Sequence, residues 1–217
     1  MIGPIDSGPT PLSRDSAVAS VVGLAGSLRP GSATQMAVRC ALLGAEKVGA
    51  RTQLLDLASY DLPFLGRDQE PAGRNAVERF LNDIGAADGI ILGSPELHGS
   101  LSGVLKNALD LTNRDTFEGK MLGLIGVAGG RMGASDTLSH LRAIGRSLHA
   151  WVVPTQVSIG AADKAFDPRG EPLDAEVRDR LMSVGRQVAR FAWLHKCENH
   201  LQFVKEWEVA TISDGAA

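Results

Sequence analysis

The amino-acid sequence predicts an α/β fold in which helices cover both faces of a parallel β-sheet. Short runs rich in valine, isoleucine and leucine lack polar alternation, as is typical of strands buried on both faces. These runs alternate five times with longer segments whose apolar residues recur every three to four positions, as on one side of a helix. The connections are short and no internal repeat is visible, so we expect one domain rather than a solenoid or propeller.

The first five elements alternate from strand to helix. A valine-rich run at 18–25 predicts the first strand, and apolar residues at helical spacing predict a helix over 32–48. A second strand is expected at 52–57. A second helix is expected at 75–86, where four apolar residues share one face. The run GIILG at 89–93 predicts the third strand.

The later elements continue the same order. They are predicted as a helix over 101–113, a strand at 121–127, a helix over 134–149, a strand at 151–153 that resumes at 156–159, and a helix from Asp174 onward. Pro154 causes the interruption of the fifth strand because proline cannot donate a ladder hydrogen bond.

The composition excludes several classes of protein. The 217 residues carry a net charge of −3, which argues against nucleic acid or an anionic membrane surface as the main partner. Cys40 and Cys197 fit neither a disulfide framework nor a CxxC pair. The 25 glycines come without low-complexity repeats, and those inside predicted helices (Gly44, Gly145 and Gly185) are expected to permit close packing.

The two ends differ from the body of the chain. Residues 1–17 contain several prolines and glycines, and we expect a flexible arm there rather than a signal or transit peptide. Residues 18–196 form the predicted domain. Residues 197–217 keep Leu201, Phe203, Val204 and Trp207 among charged side chains, which favours a helical extension packed on its own subunit or on a neighbouring one. No run is long enough to span a membrane, and we expect a cytoplasmic protein.

The loops after strands one, three and four are rich in glycine, and in open parallel sheets this edge is where ligands bind. The first loop, 26–34, leads into a helix N-terminus and offers three hydroxyl groups together with Arg29, which suits a phosphate. It lacks the Gly-Lys-Ser/Thr of nucleotide triphosphatases. The alternative is that Ser32 merely caps the helix.

The second and third loops favour contact between main chain and a flat ligand. In the second loop, 94–100, Pro95 fixes the chain as it leaves the strand and Gly99 permits a tight turn. The third loop, 127–134, has two consecutive glycines followed by Arg131. The alternatives are a surface or core histidine at position 98 and a plain glycine turn with a solvated arginine.

Together, the motifs GSLRPGS, SPELHGSLSGVLKNALD and GGRMGASDTLSHLRAI followed by VVP resemble the NADPH-dependent FMN reductase family of flavodoxin-like proteins. The resemblance spans residues 21–154 in order and spacing. It implies a flavodoxin-like three-layer sandwich with a five-stranded parallel sheet in the order 2-1-3-4-5. It also implies FMN as the cofactor, with the following residues at the phosphate: Ser27, Arg29, Ser32, Ala33 and Thr34.

The same resemblance assigns the flavin ring to the other two loops. It implies Pro95, Glu96, Leu97, His98 and Gly99 at the ring edge, with Gly129, Gly130 and Arg131 opposite. The family usually has tyrosine where this chain has Leu97, so this chain lacks an aromatic neighbour of the ring at that position. The family also often has asparagine where this chain has Thr34.

The resemblance implies an FMN-dependent oxidoreductase with no catalytic side chain of its own. NADPH or NADH would supply a hydride, and a small-molecule acceptor would take the electrons: a flavin, a quinone, an azo or nitro compound, or a metal oxyanion. The alternative is a flavodoxin-like electron carrier or regulatory protein without turnover, although carriers are usually more acidic than −3. A homodimer or homotetramer is expected.

Overall fold

Five parallel strands form the centre of the computed structural model, which describes residues 18–67 and 71–196. The six strands are β1 (Ser20–Ala25), β2 (Arg51–Leu55), β3 (Gly89–Leu97), β4 (Ser100–Leu101), β5 (Met121–Val127) and β6 (Trp151–Ile159). The sheet order is β2-β1-β3-β5-β6, and the short β4 pairs with β3 in antiparallel fashion. The predicted order of the five parallel strands is therefore confirmed, and β4 is an addition to it.

In the described residues, six α-helices flank the sheet. They are α1 (Ala33–Glu46), α2 (Pro71–Gly85), α3 (Gly103–Asp110), α4 (Arg114–Phe117), α5 (Ser135–Ser147) and α6 (Ala175–Lys196). One buried cluster joins α1 and α6 to the sheet, and a second cluster joins α2, α3 and α5 to it. This is the predicted three-layer sandwich, and the two apolar faces of the sheet explain why its strands show no alternation.

The packing of α1 against α6 depends on two glycines. A Cβ atom at Gly44 would overlap the main chain of Met182, and one at Gly185 would overlap the carbonyl oxygen of Ala41. The two helices therefore approach each other with main chain against main chain. The expectation that these helical glycines permit close packing is confirmed.

Four element boundaries differ from the predicted ones. The second helix begins at Pro71 rather than at residue 75, because proline is well tolerated in the first turn of a helix. The third strand runs on to Leu97, because the main chain of residues 94–97 pairs with β5 on one side and with β4 on the other. β6 continues through Pro154, which an edge strand tolerates, with a register shift between Leu122 and Leu124 of β5. The helix predicted over 101–113 ends at Asp110, since Asn113 caps the separate short helix α4.

The two predicted terminal segments, the arm at 1–17 and the extension at 197–217, lie outside the described residues. Among the helices of the described chain, none is long and apolar enough to cross a membrane.

Candidate functional site

The three glycine-rich loops leave the sheet side by side. Ala25 at the end of β1 is paired with Gly93 of β3, and Pro95 further along β3 is paired with Val127 at the end of β5. Because parallel strands end at the same edge of the sheet, the loops that follow them form one continuous surface. The sheet register therefore brings the three predicted loops to one edge of the sheet.

Buried hydrogen bonds join the first loop to the second. The N–H of Gly26 donates to the Gly93 carbonyl at 2.8 Å, and the Ser102 hydroxyl donates to the Gly26 carbonyl at 2.6 Å. The N–H of Ser102 donates in turn to the Ser94 hydroxyl at 2.9 Å. A Cβ atom at Gly26 would lie 2.7 Å from the Ser102 hydroxyl oxygen, so only glycine fits there.

Ser94 and Ser102 are functional residues that the sequence reasoning missed. Ser102 directly precedes a helix, and its hydroxyl also accepts a hydrogen bond from the N–H of Leu105, so an N-cap search would have found it. Its partner Gly26 lies 76 positions away, and nothing in the sequence indicates that contact.

The first loop presents unpaired main-chain N–H groups at the start of α1. The Ser32 hydroxyl caps the helix by accepting from the N–H of Gln35 at 3.2 Å, and Gly31 turns the chain at a φ of +63°. Within the part of the chain that the structure describes, the N–H groups of Ala33 and Thr34 have no hydrogen-bond partner. The capping alternative for Ser32 is thus correct, and it leaves the hydroxyl proton and two N–H groups free for an anion.

The other predicted phosphate residues differ in how far they reach solvent. Ser27 is half-buried, and Arg29 is exposed, with no hydrogen-bond or ion-pair partner for its guanidinium among the described residues. Thr34 is only 2% exposed, and its methyl group lies beneath the loop against Gly93. A cation, hydroxyl groups and helix N–H groups therefore face the same space, with Thr34 contributing only a small surface.

The second loop is a tight hairpin rather than an irregular loop. His98 and Gly99 both have positive φ values, of 53° and 74°, and together make the two-residue turn between β3 and β4. Pro95, Glu96 and Leu97 consequently lie within β3. The expectation that the chain leaves the strand at Pro95 is wrong. The hairpin extends the strand outward and places Leu97, which is 52% exposed, near its tip.

Glu96 has a structural partner. Its carboxylate accepts a hydrogen bond from the N–H of Thr137 at 3.0 Å, in the first turn of α5. The N-cap residue of α5, Ala134, has no capping side chain, so Glu96 serves as the cap from another element. Its side chain therefore orients the hairpin on α5, and its main chain is the part that remains available to a ligand.

The third loop exposes glycine main chain that the protein itself does not use for packing. Gly129 and Gly130 are exposed, and a Cβ atom at either would meet nothing within 4 Å. The loop is nevertheless held in place, because Ala128 donates to the Ile159 carbonyl at 2.8 Å and the Gly130 carbonyl accepts from Ala161 at 3.0 Å. Since neither packing nor positive φ requires these two glycines, the close approach of a ligand explains them best.

The surroundings of the three loops suit a flat ligand that carries a phosphate. Leu28 and Met132 are exposed on the first and third loops, and Leu97 on the second, so the rim is apolar. In the described residues, no group of three or more His, Cys, Asp or Glu side chains could hold a metal ion. The donor set, the apolar rim and the open glycine face together fit FMN, whose phosphate would take the N–H groups of α1.

Comparison with known families decides the assignment. The family model described as NADPH-dependent FMN reductase matches residues 19–164, about two thirds of the chain. The chain belongs to the NADPH-dependent FMN reductase family. The resemblance predicted from the three loop motifs is confirmed, and all three loops lie inside the matched range.

Two relatives in the family are similar along most of their length. An NAD(P)H-dependent FMN reductase from Pseudomonas aeruginosa is 36% identical over 165 residues, which cover 73% of this chain and 87% of that protein. An FMN-dependent NADPH-azoreductase from Staphylococcus aureus is 39% identical over 145 residues, which cover 64% of this chain and 77% of that protein.

Solved structures of the same shape confirm the flavodoxin-like fold. The flavoenzyme NAD(P)H:(acceptor) oxidoreductase of Paracoccus denitrificans aligns with a TM-score of 0.69 at 22% identity, over 82% of this chain and 99% of that one. A flavodoxin from the domain Archaea aligns with a TM-score of 0.57 at 14% identity, over 81% and 99% of the two chains.

Beside the FMN reductase loops lies a cavity of about 270 Å³ that the sequence reasoning also missed. It is lined by Leu28 of the first loop, by Val104 at the start of α3, and by Phe64, which lies in the segment after β2 and is 66% exposed. The Asn107 amide holds that segment by donating to the Pro63 carbonyl at 3.1 Å. The loops therefore continue into an apolar recess.

The side chains with shifted pKa values lie outside the three loops. Burial raises the pKa of Cys40 to about 11, and burial with a hydrogen bond to Asp83 raises that of Tyr60 above its usual range. Burial lowers the pKa of Lys120, whose ammonium group donates to the last carbonyls of α2. Each of these groups has a structural role.

Proposed function

We propose that this member of the FMN reductase family binds FMN across its three loops and passes electrons from NAD(P)H to a small-molecule acceptor. One observation carries the proposal: Gly129 and Gly130 present an anchored but unpacked main-chain surface at the same edge of the sheet as the free N–H groups of α1. FMN, when bound, supplies the redox chemistry by accepting a hydride and releasing its electrons to a second substrate.

The chain's own residues bind and orient. Arg29, Ser27 and Ser32 hold the phosphate together with the N–H groups of Ala33 and Thr34, because a helix N-terminus and a guanidinium both favour an anion. The hairpin turn at His98 and Gly99 and the glycines of the third loop line the ring with main chain. Arg131 lies opposite the hairpin and favours negative charge there.

The acceptor is an aromatic compound of the flavin, quinone, azo or nitro type. The apolar rim and the recess lined by Leu28, Phe64 and Val104 favour flat aromatic molecules over metal oxyanions, which need polar donors. The relative from Staphylococcus aureus, which is named as an azoreductase, supports an acceptor of this class.

Spectroscopy and steady-state kinetics test the proposal together. The purified chain mixed with FMN should gain a protein-bound flavin spectrum and then oxidise NADPH with a benzoquinone or an azo dye as acceptor. A protein that binds FMN but never oxidises NADPH or NADH would be an electron carrier or regulator instead. A protein that does not bind FMN at all would refute both.

A charge-removing variant tests the phosphate contacts. Arg29→Met should weaken FMN binding by about 10- to 100-fold, because a hydrogen bond to a charged group contributes roughly 1.5–3 kcal/mol. The matched control is Arg114→Met, which removes an exposed arginine of α4 that forms an ion pair with Glu118. An equal loss of affinity in the two variants would contradict the role of Arg29.

We also propose a cytoplasmic homodimer or homotetramer. The buried free thiol of Cys40 agrees with a reducing compartment. Phe64 and Leu65, both about two-thirds exposed and close to the recess, are the candidate contact surface between subunits. Light scattering of wild type and Phe64→Ser measures the mass, and a monomeric wild type would exclude this assembly.

A further inference from the structure

α6 lies beside β6, which is the strand at one edge of the sheet. β6 ends the strand order, and α6 runs antiparallel along it. The Gln187 amide donates to the Thr155 hydroxyl at 2.6 Å, and the Arg180 guanidinium donates to the Gln156 carbonyl at 3.2 Å. Trp151, Thr155 and Gln156 form one surface with the side of α6 that lies next to them. We call this surface the α6–β6 face.

The α6–β6 face carries more apolar surface than a solvated edge requires. Trp151 is 59% exposed, and Phe191 and Leu194 are 40% and 43% exposed. Gln187, Phe191 and Leu194 are spaced four and three positions apart, so they form one stripe on the side of α6 that contacts β6. Along Pro154–Gln156 lies a groove of about 830 Å³ whose lining is mostly polar and includes Arg180 and Arg186. Contiguous apolar surface of this kind usually has a partner.

The end of α6 is fixed at one end of the same face. The Lys196 ammonium donates to a carboxylate oxygen of Asp88 at 2.8 Å, and the same oxygen accepts from the N–H of Ser20 at 2.8 Å. The Trp151 ring lies 6.1 Å from the ring of His195. The end of α6 therefore lies beside Trp151.

The length and charge of residues 197–217 match the α6–β6 face. This segment contains four carboxylates and one lysine, whereas α6 contains five cations and two carboxylates. Its large apolar residues are Leu201, Phe203, Val204, Trp207, Val209 and Ile212. Twenty residues of helix would span about 30 Å, close to the roughly 30 Å of the nine-residue β6.

We propose that residues 197–217 fold back onto the α6–β6 face of their own chain and cover the edge of β6. The apolar side chains of the segment pack on Trp151, Phe191 and Leu194, and its carboxylates lie toward the arginines of α6. Like α6, the segment lies beyond the range that matches the family model.

Hydrogen exchange measured by mass spectrometry tests the proposal on the full chain. Replacing Leu201, Phe203 and Trp207 together by serine should make the amides of residues 151–157 and 187–194 exchange about tenfold faster. The control variant replaces three polar residues of the same segment, Asn199, Gln202 and Thr211, by serine and should leave exchange unchanged. Residues 51–55, in the opposite edge strand, should not respond to either variant.

Two outcomes would overturn the proposal. Unchanged exchange at 151–157 in the apolar variant means that the segment does not cover this face. If the protection of this face in wild type is lost on dilution and the apolar variant has a lower mass in solution, a second copy of the chain covers the face instead. FMN affinity is measured on the same samples, and it should be unchanged because no loop of the flavin site belongs to the α6–β6 face.

Discussion

Ser102→Ala tests whether the buried contact between the first two loops shapes the site. The substitution removes the N-cap of α3, which contributes about 1 kcal/mol to the free energy of unfolding. It also leaves the Gly26 carbonyl unpaired inside the protein, which costs about 1–3 kcal/mol more. The expected loss is therefore about 2–4 kcal/mol, and FMN binding should weaken because the first loop loses its anchor.

Urea unfolding and FMN titration measure the two effects of Ser102→Ala. The matched control is Asn113→Ala, which removes the cap of α4, where the Asn113 side chain accepts from the N–H of Thr116 at 3.0 Å. That variant should lose about 1 kcal/mol and keep its FMN affinity. A loss below about 0.5 kcal/mol in Ser102→Ala, or equal FMN affinity in both variants, would refute the reasoning.

Three further predictions follow from the contacts of single residues. Tyr60→Phe should lower the free energy of unfolding by about 1.5–3 kcal/mol, since the Tyr60 hydroxyl donates to the Asp83 carboxylate at 2.6 Å. Because the folded-state pKa of Tyr60 is raised, its contribution is complete below the unfolded pKa of about 10 and is lost as the pH rises further. Urea unfolding from pH 8 to 11 should therefore show a steeper decline in wild type than in Tyr60→Phe, and parallel curves would contradict this. Gly130→Ala should change the free energy of unfolding by less than about 0.5 kcal/mol and weaken FMN binding about tenfold. Gly185→Ala, in contrast, should lower the free energy of unfolding by about 1–3 kcal/mol. The reverse pattern would show that the third-loop glycine is structural. Cys40 should resist alkylation at pH 8 in the folded protein, because its pKa of about 11 keeps the thiol protonated. Peptide mass mapping measures the extent of alkylation, and rapid labelling of Cys40 would disprove this.

The positions of the strands and of the glycine-rich loops could be predicted because both depend on local patterns, whereas the strand order was implied by the family resemblance. Apolar runs without alternation indicate buried parallel strands, and the loops at their carboxyl ends must then share one edge. The Gly44 and Gly185 packing was also predictable, since a glycine inside a helix usually has a reason to be there.

The details of the second loop could not be predicted because they depend on tertiary contacts. Pro95 suggested a strand end, but β4 returns alongside residues 96–97 and extends the strand. A His98-Gly99 pair is a weak signal for a two-residue turn compared with Asn-Gly. The use of Glu96 as a cap for α5 depends on a residue 41 positions away.

Titration with FMN and with riboflavin tests the central claim most directly, because the two ligands share the ring and differ in the phosphate. If the N–H groups of α1 and Arg29 hold the phosphate while the second and third loops line the ring, FMN should bind at one site per chain. Riboflavin should then bind about 100-fold more weakly, since a phosphate held by several charge-assisted hydrogen bonds contributes roughly 3 kcal/mol. Equal affinity for the two ligands, or no binding of FMN, would contradict the account.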